Sequence, residues 1–480
     1  MSATAPPTEL LRMSSRPGRL VLATTVLGSG IALLDGTVVN VALPTIGREL
    51  HADLAGLQWV VNAYALSLAA LILLGGSLGD RFGRRRMYAV GVGGFGVASI
   101  LCALSPTIGV LVAARGIQGI CAALLVPGSL AILQASFHHE DRMAAIGAWT
   151  GLLGVATASG PVVGGWLVEH SWRWAFWLNV PLAALVVGLA VSVVPESRNP
   201  RSAKHIDLSG VLLAAFGLAA VTYALTITAS RPGPWSLVLG AVGVMALGAF
   251  VMVERGSSHA MVPPSLFRNR VFTTINLVTL VVYAGLSAAL LFLVLDLQTV
   301  GRWSALQAGS ATLPLSLVML VLAGRFGRLA ARTSPRPFMV GGTLVAASGF
   351  GLLAFLPSDP SYLTNVLPGI ALVGLGLSMT VAPLTGTVLA AAPDELAGTA
   401  SGVNNAVSRT AGLLAVAALP PLVGLRGEDY ANALALAPAY RTAMLVCAGL
   451  LVLGSAITAG GLQHEKPACA DLPHLDVTAR

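Results

Sequence analysis

Fourteen apolar stretches follow one another along this chain of 480 residues, each close to the roughly 20 residues that a helix needs to cross a bilayer. They lie at 20–44, 57–78, 87–105, 108–133, 143–168, 173–194, 208–228, 235–253, 271–298, 306–324, 338–356, 361–390, 398–424 and 441–462. Because unpaired backbone groups cannot face lipid, each stretch is predicted to be a helix. The predicted fold class is therefore an all-α integral membrane protein with 14 transmembrane helices.

The composition excludes the main soluble classes of protein. Charged residues make up 10% of the chain, whereas a soluble domain carries about a quarter. The net charge of +8 comes from short loops between apolar stretches, so we expect no nucleic-acid partner. The cysteines at 102, 121, 447 and 469 have no spacing that indicates a metal site or a disulfide framework.

The basic residues of the loops predict the orientation of the chain in the membrane. With the N-terminus inside, 20 of the 28 lysines and arginines lie in cytoplasmic segments and six in external ones. Both termini are therefore predicted to be cytoplasmic. The chain has 26 arginines and two lysines, which indicates a GC-rich genome and a bacterial cell membrane.

A weak internal repeat indicates how the chain is divided. Asp80–Arg84 ends the second stretch and Gly324–Arg328 ends the tenth, with an offset of 244 residues. Such repeats are typical of transporters. The predicted division is a cytoplasmic N-terminal tail (1–19), a six-helix bundle (20–194), a linker with two extra transmembrane helices (195–262), a second six-helix bundle (263–462) and a cytoplasmic C-terminal tail (463–480).

Two charged residues lie near the middle of predicted spans, where ionisable groups are costly and usually functional. Asp35 is in the first span, and Arg115 is in the fourth with Gln118 one turn away on the same face. Arg115 needs an acceptor, and Asp35 is the best candidate by depth. We predict that the two residues couple transport to proton movement, and a purely structural ion pair is the alternative.

Asp296 and Arg409 are two further charges inside predicted spans. Asp296 could bind a second proton or a cationic substrate, or it could lie at the membrane surface near Arg302. Arg409 is expected to extend its side chain to the cytoplasmic interface.

Two glycine-rich segments predict conformational roles. Close approach of a neighbouring helix and a kink are predicted on the fifth span at Gly154, Gly160, Pro161, Gly164 and Gly165. This segment could be a hinge or a seal between the bundles, and ordinary packing is the alternative. A conformational latch is predicted in the loop after the second span, at Gly76, Gly79, Asp80, Arg81, Gly83 and Arg84.

No phosphate-binding loop and no catalytic constellation is evident in the sequence, so we expect neither a built-in ATPase nor an enzyme. A substrate cavity in such a protein would be apolar with a few polar groups. The candidate lining residues are Asn40, Trp59, Asn62, Tyr64, Gln118, Asn276, Tyr283 and Gln298.

Six segments together resemble the major facilitator superfamily, and in particular its fourteen-span drug:proton antiporters of the QacA/EmrB type. The segments are LDGTVVNVALP at 34–44, the glycine- and arginine-rich loop at 76–86, LVAARGIQG at 111–119, GVATASGPVVGG at 154–165, WRWAFWLNVP at 172–181 and AGTASGVNN at 397–405. The resemblance covers residues 20–460 in order. It departs from the family at the end of the ninth span, where Asp296 stands in Asp-Leu-Gln instead of the usual Tyr-Leu-Gln.

This resemblance implies the major facilitator fold and proton-coupled efflux by alternating access. The implied substrates are drugs or other small lipophilic or cationic compounds, and the implied energy source is the proton gradient, with no cofactor. The expected partners are a small-molecule substrate, protons and the lipid bilayer, and the expected state is a monomer. A dedicated exporter of an endogenous metabolite and a non-transporting membrane scaffold or sensor stay open as alternatives.

Overall fold

The computed structural model describes residues 10–198, 208–230, 233–257, 262, 264–393, 396–427 and 429–462. The predicted tail 463–480 and the first nine residues of the N-terminal tail lie outside the described residues, as does part of the predicted linker. Within the described part, the secondary structure is helical apart from one isolated bridge between Leu11 and Phe137.

The described residues 10–198 form seven α-helices. They are α1 (Arg16–Glu49), α2 (Leu54–Phe82), α3 (Arg84–Ala103), α4 (Ile108–Ser136), α5 (His139–His170), the short α6 (Trp174–Trp177) and α7 (Asn179–Val193). Polar side chains fix where several helices begin, because they accept hydrogen bonds from free amides of the first turn. Ser15 caps α1 through Gly18 N at 3.1 Å, and Asp53 caps α2 through Gly56 N at 2.8 Å.

The described residues from 208 onward form ten further α-helices. They are α8 (Leu208–Ser230), α9 (Pro234–Gly256), α10 (Ser265–Arg268), α11 (Arg270–Thr299), α12 (Ala305–Ser310), α13 (Leu313–Arg332), α14 (Pro335–Leu353), α15 (Leu367–Ala390), α16 (Ala397–Leu422) and α17 (Ala433–Gly461). A single π-helical turn, Tyr362–Val366, leads into α15.

Thirteen helical segments in the described part are long and apolar enough to cross a membrane. They coincide with thirteen of the fourteen predicted spans. The remaining span is α16, which at 26 residues is long enough but is less apolar. Its central residues include Asn404, Asn405, Ser408 and Arg409, and these polar side chains are the reason for its low hydropathy.

The helices pack as two groups of six spans. In the first, α2 and α3 pack on α4, and α1 packs on α5 and α7. In the second, α14 packs on α15 and α17, and α11 packs on α16 and α17. Helices α8 and α9 pair with each other, and α8 contacts α2 of one group and α16 of the other. We call the end of the molecule that carries Glu49 and Thr299 the predicted outer end, and the end that carries Arg84 the predicted cytoplasmic end.

The hydrophobic core is continuous between the two groups at the predicted outer end. Leu43, Ile46 and Leu57 of the first group share one buried cluster with Leu291 and Leu295 of the second. A separate buried cluster, which includes Tyr88, Phe95 and Ile132, lies within the first group alone. The two groups are therefore joined at one end.

Candidate functional site

A buried carboxylate is the centre of a polar cluster in the first group of helices. Asp35 on α1 forms an ion pair with Arg115 on α4, and the two side chains are 0% and 1% exposed. Gln118 Nε2 and Asn179 Nδ2 each donate a hydrogen bond to Asp35 Oδ1 at 3.0 Å. The pairing of Asp35 with Arg115, predicted from their similar depth in their spans, is confirmed.

The guanidinium of Arg115 is held from several directions. Its Nε donates to the carbonyl of Val60 at 3.0 Å, and its Nη1 donates to Gln118 Oε1 at 2.5 Å. The Arg115 Cζ atom lies 4.3 Å from the centre of the Tyr64 ring. Hydrogen bonds and the face of an aromatic ring thus compensate the buried cation along with Asp35.

Two members of the cluster were missed by sequence reasoning. Ser99 Oγ accepts hydrogen bonds from Gln118 at 2.8 Å and from Asn179 at 3.3 Å. The available signal for Asn179 was a single amide within the apolar stretch 173–194. Ser99 carried no such signal, because isolated serines are common in membrane helices.

A cavity of about 520 Å³ lies between the two groups of helices. Four of the predicted lining residues, Asn40, Asn62, Tyr64 and Tyr283, line it. The other side is formed largely by α16, whose lining residues are Ser401, Asn404, Asn405, Ser408, Arg409, Gly412, Leu413 and Val416. The same polar residues that lower the hydropathy of α16 therefore face this cavity.

Trp59 and Gln118, two other predicted lining residues, do not line the central cavity. The Trp59 ring packs on Tyr223 of α8 with ring centres 5.9 Å apart, because α8 covers that face of α2. Gln118 is fully buried in the Asp35 cluster, where its amide bonds Asp35 and Ser99.

Asn276 and Gln298 also lie outside the lining of the central cavity. Asn276 lies behind the cavity wall and accepts a hydrogen bond from the lining residue Asn404 at 3.1 Å. Gln298 donates to the carbonyl of Val41 at 3.1 Å and lines a second cavity of about 430 Å³ at the predicted outer end.

The structure separates Asp296 from the central cavity and places Arg409 in it. Asp296 is 3% exposed, lines neither of these two cavities and forms no ion pair with Arg302, so the expectation that it lies at the membrane surface is wrong. Its predicted binding of a proton or a cationic substrate stays a prediction. Arg409 lines the central cavity and donates from Nε to Asn405 Oδ1 at 3.0 Å, so it does not extend to the interface as expected.

The glycine-rich face of α5 packs against both groups. A Cβ atom on Gly164 would lie 2.9 Å from Val38 Cα of α1, and one on Gly165 would lie 2.5 Å from Leu306 Cα of α12. The Pro161 carbonyl occupies the space beside Gly309 of the second group. Gly160 packs on α1, whereas Gly154 is in ordinary contact with α13. The predicted seal residues therefore lie at the junction of the two groups.

The loop after α2 is organised by two carboxylates. Asp80 and Arg84 form the ion pair expected from their spacing, with Arg84 Nε 2.8 Å from Asp80 Oδ1. Glu196 Oε1, which the sequence did not single out, accepts a hydrogen bond from Arg85 N at 3.1 Å. Gly83 has a φ of 113°, a conformation that favours glycine. Of the other latch candidates, Arg81 lies against Phe82, Gly76 is near Pro127 and Gly79 faces open space.

The model of the family described as Major Facilitator Superfamily matches residues 25–417. The puromycin resistance protein of Streptomyces alboniger is 39% identical over 395 residues, which are 81% of this chain and 78% of that protein. The tetracenomycin C resistance and export protein of Streptomyces glaucescens is 35% identical, over 87% of this chain and 78% of that protein. The methylenomycin A resistance protein of Bacillus subtilis is 34% identical, over 88% of this chain and 91% of that protein.

Solved transporter structures share the fold at low sequence identity. The peptide transporter POT in complex with sulfate matches with a TM-score of 0.69 and 16% identity, over 94% of this chain and 96% of that one. A nucleoside transporter matches with a TM-score of 0.64 and 12% identity, over 92% of this chain and 100% of that one.

Proposed function

Since the chain belongs to the major facilitator superfamily, we propose that its buried Asp35 couples the export of small molecules to the inward movement of protons. The protein is a multi-pass membrane efflux transporter, in agreement with relatives named for antibiotic resistance and export. We place it in the bacterial cell membrane with both termini cytoplasmic, acting as a monomer without a cofactor. Antibiotic-like molecules are the proposed substrates.

The contact of Tyr64 with both the cluster and the cavity carries this proposal. Tyr64 lines the cavity, and its ring stacks on the Arg115 guanidinium, which in turn pairs with Asp35. Protonation of Asp35 would remove the negative charge that holds Arg115. A shift of the Arg115 side chain would then move the Tyr64 ring, which is part of the cavity wall.

The conformation of the molecule fits one stage of an alternating-access cycle. Hydrogen bonds between described residues of the two groups lie at the predicted outer end: Gln58 Nε2 donates to the carbonyl of Val416 at 2.7 Å, and Ser304 Oγ to Glu169 at 2.7 Å. Apolar residues, among them Leu43 and Leu295, lie above the central cavity on that side. We infer an inward-facing state, in which substrate enters from the cytoplasm or the inner leaflet.

The remainder of the transport cycle follows from the opposite effects of substrate and proton on the balance between the inward-facing and outward-facing states. Substrate binding with Asp35 ionised would favour return to the outward-facing state, and protonation there would favour substrate release and return to the inward-facing state. Such a bias requires that proton and substrate each bind the two states with different affinity. The α5 glycine face and the loop at 76–86 would respectively seal the outer end and latch the cytoplasmic end in alternation.

A test of the coupling uses everted membrane vesicles that are energised to be acidic inside and that report their pH through a quenched dye. Addition of puromycin, a neutral drug or a lipophilic cationic dye should release protons when one of them is a substrate. The response should be lost in Asp35→Asn and kept in Asp359→Asn, a matched change of an exposed carboxylate. A full response in Asp35→Asn with normal protein levels would refute the assignment of Asp35.

A further inference from the structure

Arg409 brings a positive charge with free hydrogen-bonding capacity into the central cavity. Its Nε is engaged by Asn405, but its two terminal nitrogens form no hydrogen bond or ion pair with any described residue. A guanidinium presents these groups in a planar fork that matches a carboxylate. The cavity therefore offers a binding group for an anion.

The charge of Arg409 is not compensated within the cavity. None of the described residues that line the cavity is acidic. The Asp35 carboxylate is fully buried in its pair with Arg115, whose guanidinium lies against the Tyr64 ring. A cationic substrate would meet an uncompensated positive charge here, and an anionic substrate would neutralise it.

Asn62 supplies a second, independent indication of a ligand. Its side chain is 0% exposed and lines the cavity, yet both its Nδ2 and its Oδ1 lack a hydrogen-bond partner among the described residues. A buried polar group without a partner is costly, and such a cost is commonly met at a binding site. A ligand with a hydroxyl, carbonyl or amide group would satisfy Asn62.

The second cavity, at the predicted outer end, has the same sign of charge. It is lined by Arg48 and Arg302, and none of the described residues that line it is acidic. The apolar layer that includes Leu43, Leu54 and Leu57 lies beside the central cavity towards this end. Arginine side chains therefore line both cavities without an acidic residue among the described lining residues.

We propose that the substrates are amphipathic organic anions, with the anionic group bound by Arg409, a neutral polar group bound by Asn62 and an apolar body against Leu286 and Leu290. This inference rests on the proposed export function and replaces the lipophilic cations that the family resemblance implies. Charge-assisted hydrogen bonds in a partly desolvated site contribute enough for about a ten- to hundredfold preference over a neutral analogue.

The test compares three fluorescent probes of nearly equal shape: anthracene-2-carboxylate, anthracene-2-carboxamide and 2-(aminomethyl)anthracene. Their affinities are measured by titration of the purified full-length protein in lipid nanodiscs. The carboxylate should bind about ten- to a hundredfold more tightly than the carboxamide, and the ammonium probe should bind most weakly. Because this assay measures binding, it is independent of whether Asp35 couples transport to protons.

Arg409→Gln should remove the preference, so that the affinities of the variant for the carboxylate and the carboxamide lie within about twofold of each other. Measurable binding of the carboxamide shows that the variant is folded. Arg409→Lys should restore part of the preference, because it keeps the charge without the fork. Arg441→Gln, at an exposed arginine that packs on Phe355, is the matched control and should behave as wild type. Tighter binding of the ammonium probe, or an unchanged preference in Arg409→Gln, would overturn the proposal.

Discussion

The ion pair between Asp35 and Arg115 should show strong energetic coupling in a double-mutant cycle. Both charges are almost completely removed from solvent. In Arg115→Met, the Asp35 carboxylate keeps only the amide donors of Gln118 and Asn179, each at 3.0 Å. In Asp35→Asn, the guanidinium keeps the Val60 carbonyl and the Gln118 amide oxygen. Breaking a buried pair on one side costs about 3–5 kcal/mol, since an uncompensated charge stays buried.

The double variant should be less destabilised than the sum of the two single variants by about 3 kcal/mol, because it leaves neither charge without a partner. The free energy of unfolding is measured in mixed detergent micelles by titration with dodecyl sulfate, and tryptophan fluorescence follows the transition. A matched cycle on Ser29 and Ser129, whose hydroxyls are 2.7 Å apart in the same group of helices, should give about 1 kcal/mol. Additive losses at Asp35 and Arg115, within about 0.5 kcal/mol, would refute the reasoning.

Three further predictions concern the seal, the loop and the charge moved. Gly165→Ala should weaken the closed outer end, since its Cβ would lie 2.5 Å from Leu306 Cα. A cysteine introduced at the outer end should then react faster with a thiol reagent than in Gly151→Ala, where the new Cβ meets open space. Gly83→Ala should lower transport and folded yield, because its φ of 113° is strained for alanine and the new Cβ would lie 2.7 Å from Glu196 Oε1, whereas Gly79→Ala should be tolerated. Exchange of one proton for a monoanion moves two charges, so each 100 mV of membrane potential should add about 4.6 kcal/mol of driving force. Voltage-independent transport in proteoliposomes would contradict that charge count.

The sequence predicted the course of the chain well because hydrophobic length is a local property. Every predicted span has a helix in the structure, and the depth of Asp35 and Arg115 in their spans was enough to pair them. The depth of a residue in the membrane follows from its position along the span. Asp35 and Arg115 lie at similar depth, and each charge needs a partner in the hydrocarbon core of the bilayer.

The sequence could not predict which face of a helix meets which neighbour. Asn62 and Trp59 are three residues apart on α2, but only Asn62 faces the cavity, because α8 covers the face that carries Trp59. Arg409 was expected to extend its side chain to the cytoplasmic interface, whereas the packing of α16 turns that side chain toward the cavity. Rotation about the helix axis is set by tertiary packing, which one sequence does not encode locally.

The polar composition of α16 has a consequence for synthesis of the protein. A helix that carries an arginine near its centre costs about 2.5–3.5 kcal/mol more to insert than an apolar one. Helix α16 falls short of the hydropathy that the other spans reach, and its Asn404 bonds Asn276 and Thr279 of α11, a helix made more than a hundred residues earlier. Insertion of α16 into the bilayer should therefore depend on α11, which is inserted before it. The last part of the cavity wall is then assembled by pairing of α16 with α11 and not only by partitioning of α16 from water into lipid.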